Sequence, residues 1–423
     1  MNNIEMEHAR LKEIVLDQRE TFNRPRQLIE RDIELDAYLK TSQVVIISGV
    51  RRCGKSSLLY LIKEKLDLQE QDYCYFNLDD ERIVDEAEIL DQVYRLHLEM
   101  HRKEPLFFLD EVQNIPNWEK FVNRLYEKGI KLFITGSNAN LLSSEIASAL
   151  TGRNKVLQLS PFSFKEYLRF IGRDYTLERL SSTQKSFLQG DFNDYLKKGG
   201  FPLVIAENDL ELINGYFQDI LYRDIVARHR LSQVDELKQI ALYFASNVGK
   251  LFSYATLQQV SGVKSSASVK QYLEYLGQTY LFFYLKKFDY SVKKQIMNPK
   301  KVYAVDPAVC HRLGSHFSLN QGRILENVVY LELLRRGKEV FYHQQKKECD
   351  FVIKEGLQIN AALQVTWEMN TQNTKRELEG LQEAMQVHQL QEGWLLTGVE
   401  TKTSVSLPDN IKLMPVREWL LAG

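Results

Sequence analysis

Residues 44 to 57 read VVIISGVRRCGKSS: four apolar residues and a serine, then GxxxxGKS formed by Gly49, Val50, Arg51, Arg52, Cys53, Gly54, Lys55 and Ser56, followed by Ser57. A phosphate chain is satisfied by backbone N–H groups only where the backbone can wrap it closely, and Gly49 and Gly54 permit that wrap. The next segment, SSLLYLIKEKL, has helical periodicity. Its first turn therefore aims unsatisfied N–H groups and the positive end of the helix dipole at the anion. Lys55 is placed to neutralise the outer phosphates and the Ser56 hydroxyl to ligate Mg2+. The strand–loop–helix context separates this stretch from a fortuitous glycine-rich turn, and it sets an α/β fold.

Downstream segments supply what a hydrolytic site requires. LFFLDE at 106–111 is an apolar strand ending in two carboxylates. Asp110 is expected to help hold Mg2+ and Glu111 to polarise the attacking water as a general base. KLFITGSN at 131–138 is a second apolar strand. At its end Ser137 or Asn138 is either a sensor of the terminal phosphate or part of a plain turn. Beyond a predicted helix through LLSSEIASAL, Arg153 follows a Thr-Gly turn. It is either a surface arginine or an arginine finger, acting in cis or from a neighbouring subunit.

The segments GVRRCGKSSLL, LFFLDEVQNIPNWEKFVNRLYEKGIKLFITGSNANLL and LTGRNKVLQLSPFSFKEYL together resemble the bacterial and archaeal AAA+ ATPases of the AAA_14 type, whose C-terminal half is the domain DUF4143. The resemblance continues through FPLVI, YFQDILYRDIV with Asp219, Arg223 and Asp224, and ECDFVIKEG, and so spans nearly the whole chain. It implies a parallel core sheet of order 5-1-4-3-2 with the phosphate loop after the first strand. Asn154-Lys155 is followed by Val156-Leu157 instead of a guanine-recognition signature, which favours ATP.

With 423 residues, 44% hydrophobic and 26% charged, the chain has ordinary globular composition and length for several domains. A net charge of −1 gives no global attraction to nucleic acid or membrane, so any DNA contact must be local. The polar start MNNIEMEHARLKEIVLDQRE and the absence of a membrane-length apolar stretch predict a cytoplasmic protein. Cys53, Cys74, Cys310 and Cys349 lie far apart, arguing against a disulfide framework or zinc. Cys53, beside Lys55 and a helix start, is a place where a thiol pKa could be lowered. His97 and His101 are spaced i, i+4 but lack the glutamate of a metalloprotease helix. They read as a solvated face.

The expected division is an ATPase core over 1–160, a helical lid over 161–232, a winged helix over 233–304, and a restriction-endonuclease-like domain over 305–423. The turn Lys198-Gly199-Gly200-Phe201-Pro202 interrupts the lid helices, and YFQDILYRDIV is expected to present one amphipathic face. In the winged helix, Ser265 to Gly277 is the expected recognition helix. Lys264, Lys270, Lys286, Lys287, Lys293, Lys294, Lys300 and Lys301 form a basic rim. Tyr272, Tyr275 and Leu276 argue for core packing on the same helix, so DNA and a protein partner both remain open.

In the last domain the resemblance implies a PD-(D/E)xK-like fold, with Glu326, Asp350 and Gln364 at its three metal-facing positions. Hydrolysis there needs hard oxygen ligands and a lysine. Where that pattern asks for Glu-x-Lys the chain has Gln364-Val365-Thr366, so the domain reads as degenerate unless a lysine such as Lys375 reaches in. The functional expectation is a Mg2+-dependent ATPase switch that binds DNA or a protein partner, with a homo-oligomer possible. The alternatives are an ATP-coupled DNA nuclease, a non-catalytic nucleotide-binding interaction protein, or a small-molecule kinase using the same loop.

Overall fold

The computed structural model describes residues 3–26, 28–84, 86–139, 150–314, 321–370, 373–400 and 407–422. The chain divides into two compact units, one of residues 1–159 with 278–280 and one of residues 160–277 with 281–423. Among the described residues no helix is long and apolar enough to cross a membrane.

The first unit is built on strands β1 (Val44–Ser48), β2 (Tyr73–Asn77), β3 (Leu106–Asp110), β4 (Leu132–Gly136) and β5 (Asn154–Gln158), in the order β2-β3-β4-β1-β5. All neighbours are parallel, with Val45 opposite Phe133 and Lys155. The apolar runs have this form because both sheet faces are covered. Val45, Ile46, Ile47, Phe107, Phe108, Leu109, Phe133 and Ile134 are fully buried. The order agrees with that implied by the resemblance. The polar start of the chain forms the helix Asn3–Asn23, whose Phe22 stacks on Tyr75 with ring centroids 4.0 Å apart. The helix expected through 141–149 lies outside the described residues.

The second unit begins with helices Phe164–Phe170, Ser182–Lys198, Pro202–Glu207 and Leu212–Gln218. The first two start at Ser163 and Ser181, each closing a capping box that satisfies N-terminal N–H groups. At the 198–202 turn Gly199 has φ 71°, and a Cβ there would fall 1.7 Å from an Asp306 carboxylate oxygen. Asp306 also accepts a hydrogen bond from Gly200 N at 2.6 Å. The stretch expected as an amphipathic α-helix is a π-helix over Asp219–Ala227, a wider winding that is rare at this length.

Next come helix Val234–Ser246, β6 (Leu251–Phe252), helices Tyr254–Ser261 and Ser266–Gln278, and the antiparallel strands β7 (Phe282–Leu285) and β8 (Lys300–Ala304), in sheet order β6-β8-β7. Tyr272 and Leu276 do pack inward, while Tyr275 is half-buried against His229 with ring centroids 3.8 Å apart. The last sheet has the order β13-β12-β11-β10-β9, from β9 (Glu339–Gln344), β10 (Glu348–Glu355), β11 (Gln358–Thr366), β12 (Gly393–Thr397) and β13 (Ile411–Pro415). β9, β10 and β11 pair antiparallel, whereas β11, β12 and β13 are parallel. Helices Gln321–Arg335 and Thr374–His388 pack beside this sheet.

Candidate functional site

The loop after β1 is held too tightly for any side chain at Gly49, where a Cβ would lie 2.0 Å from the Leu159 carbonyl oxygen. Gly54, at φ 104°, turns the chain into helix Lys55–Lys65. Arg52 also has a positive φ, of 68°. Val50 and Cys53 point inward and are fully buried, whereas Arg51 reaches Asp79 at 3.5 Å. The Cys53 thiol contacts the Leu159 carbonyl at 3.4 Å, and burial pushes its pKa up despite nearby Lys55 and Arg31. The expected lowering is therefore absent: removal from water outweighs the cations.

Lys55 is 4% exposed and folds back on the loop, its Nζ donating to the Gly49 and Val50 carbonyls at 3.3 and 3.4 Å. Its third partner is Glu111, at 3.2 Å. Burial opposes charge on both groups, but the pair holds Lys55 above its ordinary value and Glu111 down to about 2. Both are ionised at neutral pH. Glu111 follows the end of β3 with φ 55°, a left-handed conformation that costs a non-glycine residue energy and fixes where its carboxylate points.

Asp110 ends β3 and is 2% exposed. Burial and then the charge of Glu111 raise its pKa, against hydrogen bonds from Ser56 and Thr135 and the attraction of Lys55. Thr135 on β4 donates to Asp110 Oδ1 and accepts from Glu111 N at 2.9 Å, so one buried hydroxyl fixes both acids. Tyr75 on β2 donates to Asp110 Oδ2 at 3.1 Å. Gln113 donates to Glu111 at 2.6 Å and to Ser137 Oγ at 3.4 Å, tying Ser137 to the same constellation. Asn138 is buried next to it, and Ser57 is partly exposed in the first turn of the helix.

Arg153 is not brought to this cluster. Its carbonyl pairs with Val44 N, at the start of β1, while the loop leaves the other end of that strand. The guanidinium contacts Asn123 and Glu127 at 2.5 and 3.1 Å. The Arg153 backbone therefore lies at the end of β1 opposite the loop. Parallel strands rise about 3.3 Å per residue, which separates the two ends of β1 by well over 10 Å.

Several contributors were not singled out from sequence: Thr135, Tyr75, Gln113, Arg31 and Tyr280. Arg31 donates to the Cys53 carbonyl at 3.4 Å, and Tyr280 OH donates to Ser48 Oγ at 2.9 Å. Only Thr135 carried a signal, as the polar residue inside the apolar run of β4. His97 and His101 lie 4.7 Å apart by ring centroid. His97 is 6% exposed and its pKa is pushed down to about 4 by burial, so it is a packed residue rather than part of a solvated face. Among the described residues no cluster of three metal-type ligands occurs.

In the second unit, Glu326, Asp350 and Gln364 do converge. Asp350 N donates to Gln364 Oε1 at 3.1 Å, and Gln364 Nε2 donates to Glu377 at 2.8 Å. The lysine that joins them is Lys301, which is 1% exposed. Its Nζ lies 3.0 Å from Glu326, 2.9 Å from Asp350 and 2.8 Å from Glu348. Lys375 does not reach in: it is exposed and lies 3.8 Å from Glu379. Burial and the charge of Asp350 push the Glu326 carboxyl up to about 7.

An AAA domain model matches residues 41–168, and a domain of unknown function, DUF8612, matches residues 189–321, in place of the DUF4143 that was expected. The uncharacterized protein MJ1544 of Methanocaldococcus jannaschii is 36% identical over 390 residues, covering 88% of this chain and 85% of its own. An uncharacterized protein of Haemophilus influenzae is 30% identical over 405 residues, covering 92% of this chain and 96% of its own. Among solved structures, the RuvB Holliday junction branch migration motor of Thermotoga maritima matches with a TM-score of 0.30 and 15% identity, over 65% of this chain and 93% of that one. The Aeropyrum pernix ORC1 protein in complex with DNA matches with a TM-score of 0.29 and 11% identity, over 74% and 92%. With an AAA domain around its phosphate loop, the chain belongs to the family of MJ1544 and its Haemophilus relative.

Proposed function

We propose that this chain is a Mg2+-dependent ATP hydrolase working as a nucleotide-driven switch, its ATP state governing the binding of DNA or a protein partner. The observation that carries the reading is the convergence of Lys55, Ser56, Asp110, Glu111 and Thr135 on one glycine-rich loop. Ser56 and Asp110 are hydrogen-bonded neighbours, a pair of hard oxygen donors that suits Mg2+. Bound there, Mg2+ would supply charge neutralisation at the phosphates. Gly49 to Ser57 cradle the phosphate chain through backbone N–H groups. Lys55 leaves the Gly49 and Val50 carbonyls for the outer phosphates, which frees Glu111. Glu111, ionised and held by Gln113, then orients water and accepts its proton. Ser137, tied to Glu111 through the Gln113 bridge, or its buried neighbour Asn138 reports on the terminal phosphate. Arg153 acts, if as a finger, on a neighbouring copy.

We read residues 161–232 as the lid, 233–304 as a winged helix on the order β6-β8-β7, and 305–423 as a degenerate PD-(D/E)xK-like domain. Support for degeneracy is the Lys301 ammonium, which sits among the carboxylates that a metal would need. Phosphate release with Mg2+ and ATP, measured with and without duplex DNA, is the test. Release abolished by Lys55→Ala is expected. Equal turnover in that variant removes the hydrolase reading, and indifference to DNA selects a protein partner.

A further inference from the structure

The strongest unassigned feature of the second unit is a set of lysines without acids. Lys270 is exposed on helix Ser266–Gln278, Lys286 is exposed just after β7, and Lys300 is half-buried at the start of β8. Among the described residues, none of the three has a carboxylate within ion-pair distance. Burial and then the charges of Lys286 and Lys270 push the Lys300 pKa below its ordinary value, which places the three in one another's field. Like charges gathered without a counter-ion disfavour the free protein and favour a polyanion.

The connection between β7 and β8 adds a second observation. Tyr290, Val292, Ile296 and Met297 are 82, 67, 58 and 75% exposed, and the short helix Val292–Met297 buries nothing. Lys293 and Lys294 stand among them, with Lys294 3.9 Å from Asp289. Large apolar side chains are otherwise scattered singly over a protein surface, and a group of four at a hairpin tip calls for a partner.

We infer that the outward face of helix Ser266–Gln278 and the hairpin 286–300 bind duplex DNA, with Lys270, Lys286 and Lys300 on phosphates and the 290–297 tip inserted as an apolar wedge in the minor groove. Inward packing by Val269, Tyr272, Leu273 and Leu276 leaves Ser266, Ala267, Lys270, Gln271 and Glu274 facing out, the last able to accept from a cytosine amino group. Those are small and polar groups suited to a groove. Apolar wedges beside cations are how minor-groove proteins unstack and bend a duplex. An anionic lipid surface fits less well, because a six-residue helix is too short to lie along a membrane interface and the lysine set sits at the base of the hairpin. The inference names the partner left open in the proposed function and does not depend on ATP hydrolysis.

The test uses the full chain and a fluorescent duplex of about 20–30 base pairs, followed by anisotropy at about 50 to 200 mM salt. Replacing Lys270, Lys286 and Lys300 by Gln is expected to lower the log–log salt slope by about 2.7, so that the fall in affinity over this range is about 40-fold smaller than in the parent. Replacing Tyr290, Val292, Ile296 and Met297 by Ser leaves that slope unchanged, weakens binding about tenfold and removes the bend read by end-to-end energy transfer. Basal ATP turnover stays intact in both variants, which separates failure here from failure of the ATPase reading. The inference is overturned by no duplex binding at low salt, by an unchanged slope in the Gln variant, or by binding to phosphatidylserine vesicles that the Ser variant abolishes while DNA is ignored.

Discussion

Thr135→Val replaces the one hydroxyl that bonds to both Asp110 and Glu111 by a methyl group of nearly the same size. Thr135 is fully buried and Asp110 nearly so, so water does not take over its bonds. The Glu111 N–H, bonded to Thr135 Oγ1 at 2.9 Å, is orphaned at a cost of about 1–3 kcal/mol. Asp110 loses a donor to a charged oxygen, a bond worth about 1.5–3 kcal/mol, while Tyr75 and Ser56 remain. The two terms together give about 2.5–6 kcal/mol, out of about 5–15 for a whole domain. A functional effect accompanies it. Without that donor the Asp110 pKa, already raised by burial and Glu111, rises further, and the acid limb of ATP turnover moves to higher pH. Urea unfolding followed through Trp118, the one tryptophan of the first unit, reads the stability term. Thr135→Ser keeps both hydrogen bonds and should stay within about 1 kcal/mol of the parent. A Val variant that loses less than about 1 kcal/mol and keeps its pH profile refutes the shared-hydroxyl account.

Stability of the second unit should depend on pH through Asp306 and Glu326, whose pKa values are pushed up to about 7 from 3.8 and 4.5, chiefly by burial. Groups raised in the folded state hold protons more tightly there, so their contribution is complete below the unfolded values and lost as pH rises through about 7. Urea midpoints between pH 5 and 8 should fall less steeply in Glu326→Gln than in the parent; an identical slope counts against it. Lys301→Met leaves Glu326 and Asp350 without their cation and should cost about 3–5 kcal/mol at neutral pH, and less at pH 5 where Glu326 takes up a proton. Mixing Arg153→Ala with Glu111→Gln subunits should restore part of the ATP turnover if Arg153 serves a neighbouring copy, and no recovery excludes a trans finger.

Three of the five core strands were legible because each is an apolar run with its chemistry at the end: VVIIS before the loop, LFFLD before Glu111, LFITG before Ser137; β2, reading YCYFN, carries no such mark. Parallel burial on both faces produces such runs, and the polar residues cluster where the strands emerge. What the sequence hid depends on side chains arriving from elsewhere. Tyr75 meets Asp110 only because β2 lies beside β3, and Arg31 reaches the loop from before β1. Lys301 was read as part of a basic rim, and alternation along β8 does not separate it from Lys300, because Val302 and Ala304 on the face of Lys300 are as buried as Tyr303. Lys301 shares a face with Val305 and the buried Tyr303, whose hydroxyl bonds to Glu326 at 2.6 Å, whereas Lys300 points the other way. The π-helix at 219–227 followed a pattern that periodicity reads as an ordinary helix.

The most direct test of the central claim separates binding from turnover in Glu111→Gln, with ATP affinity and phosphate release measured on the same protein. Glutamine retains the bond to Gln113 and removes the base, so release should fall about 10²–10⁴-fold. Lys55, freed from its 3.2 Å partner, should bind ATP at least as tightly as in the parent. Turnover equal to the parent, or loss of ATP binding together with turnover, contradicts the assignment of Glu111 as the base beside the phosphate loop.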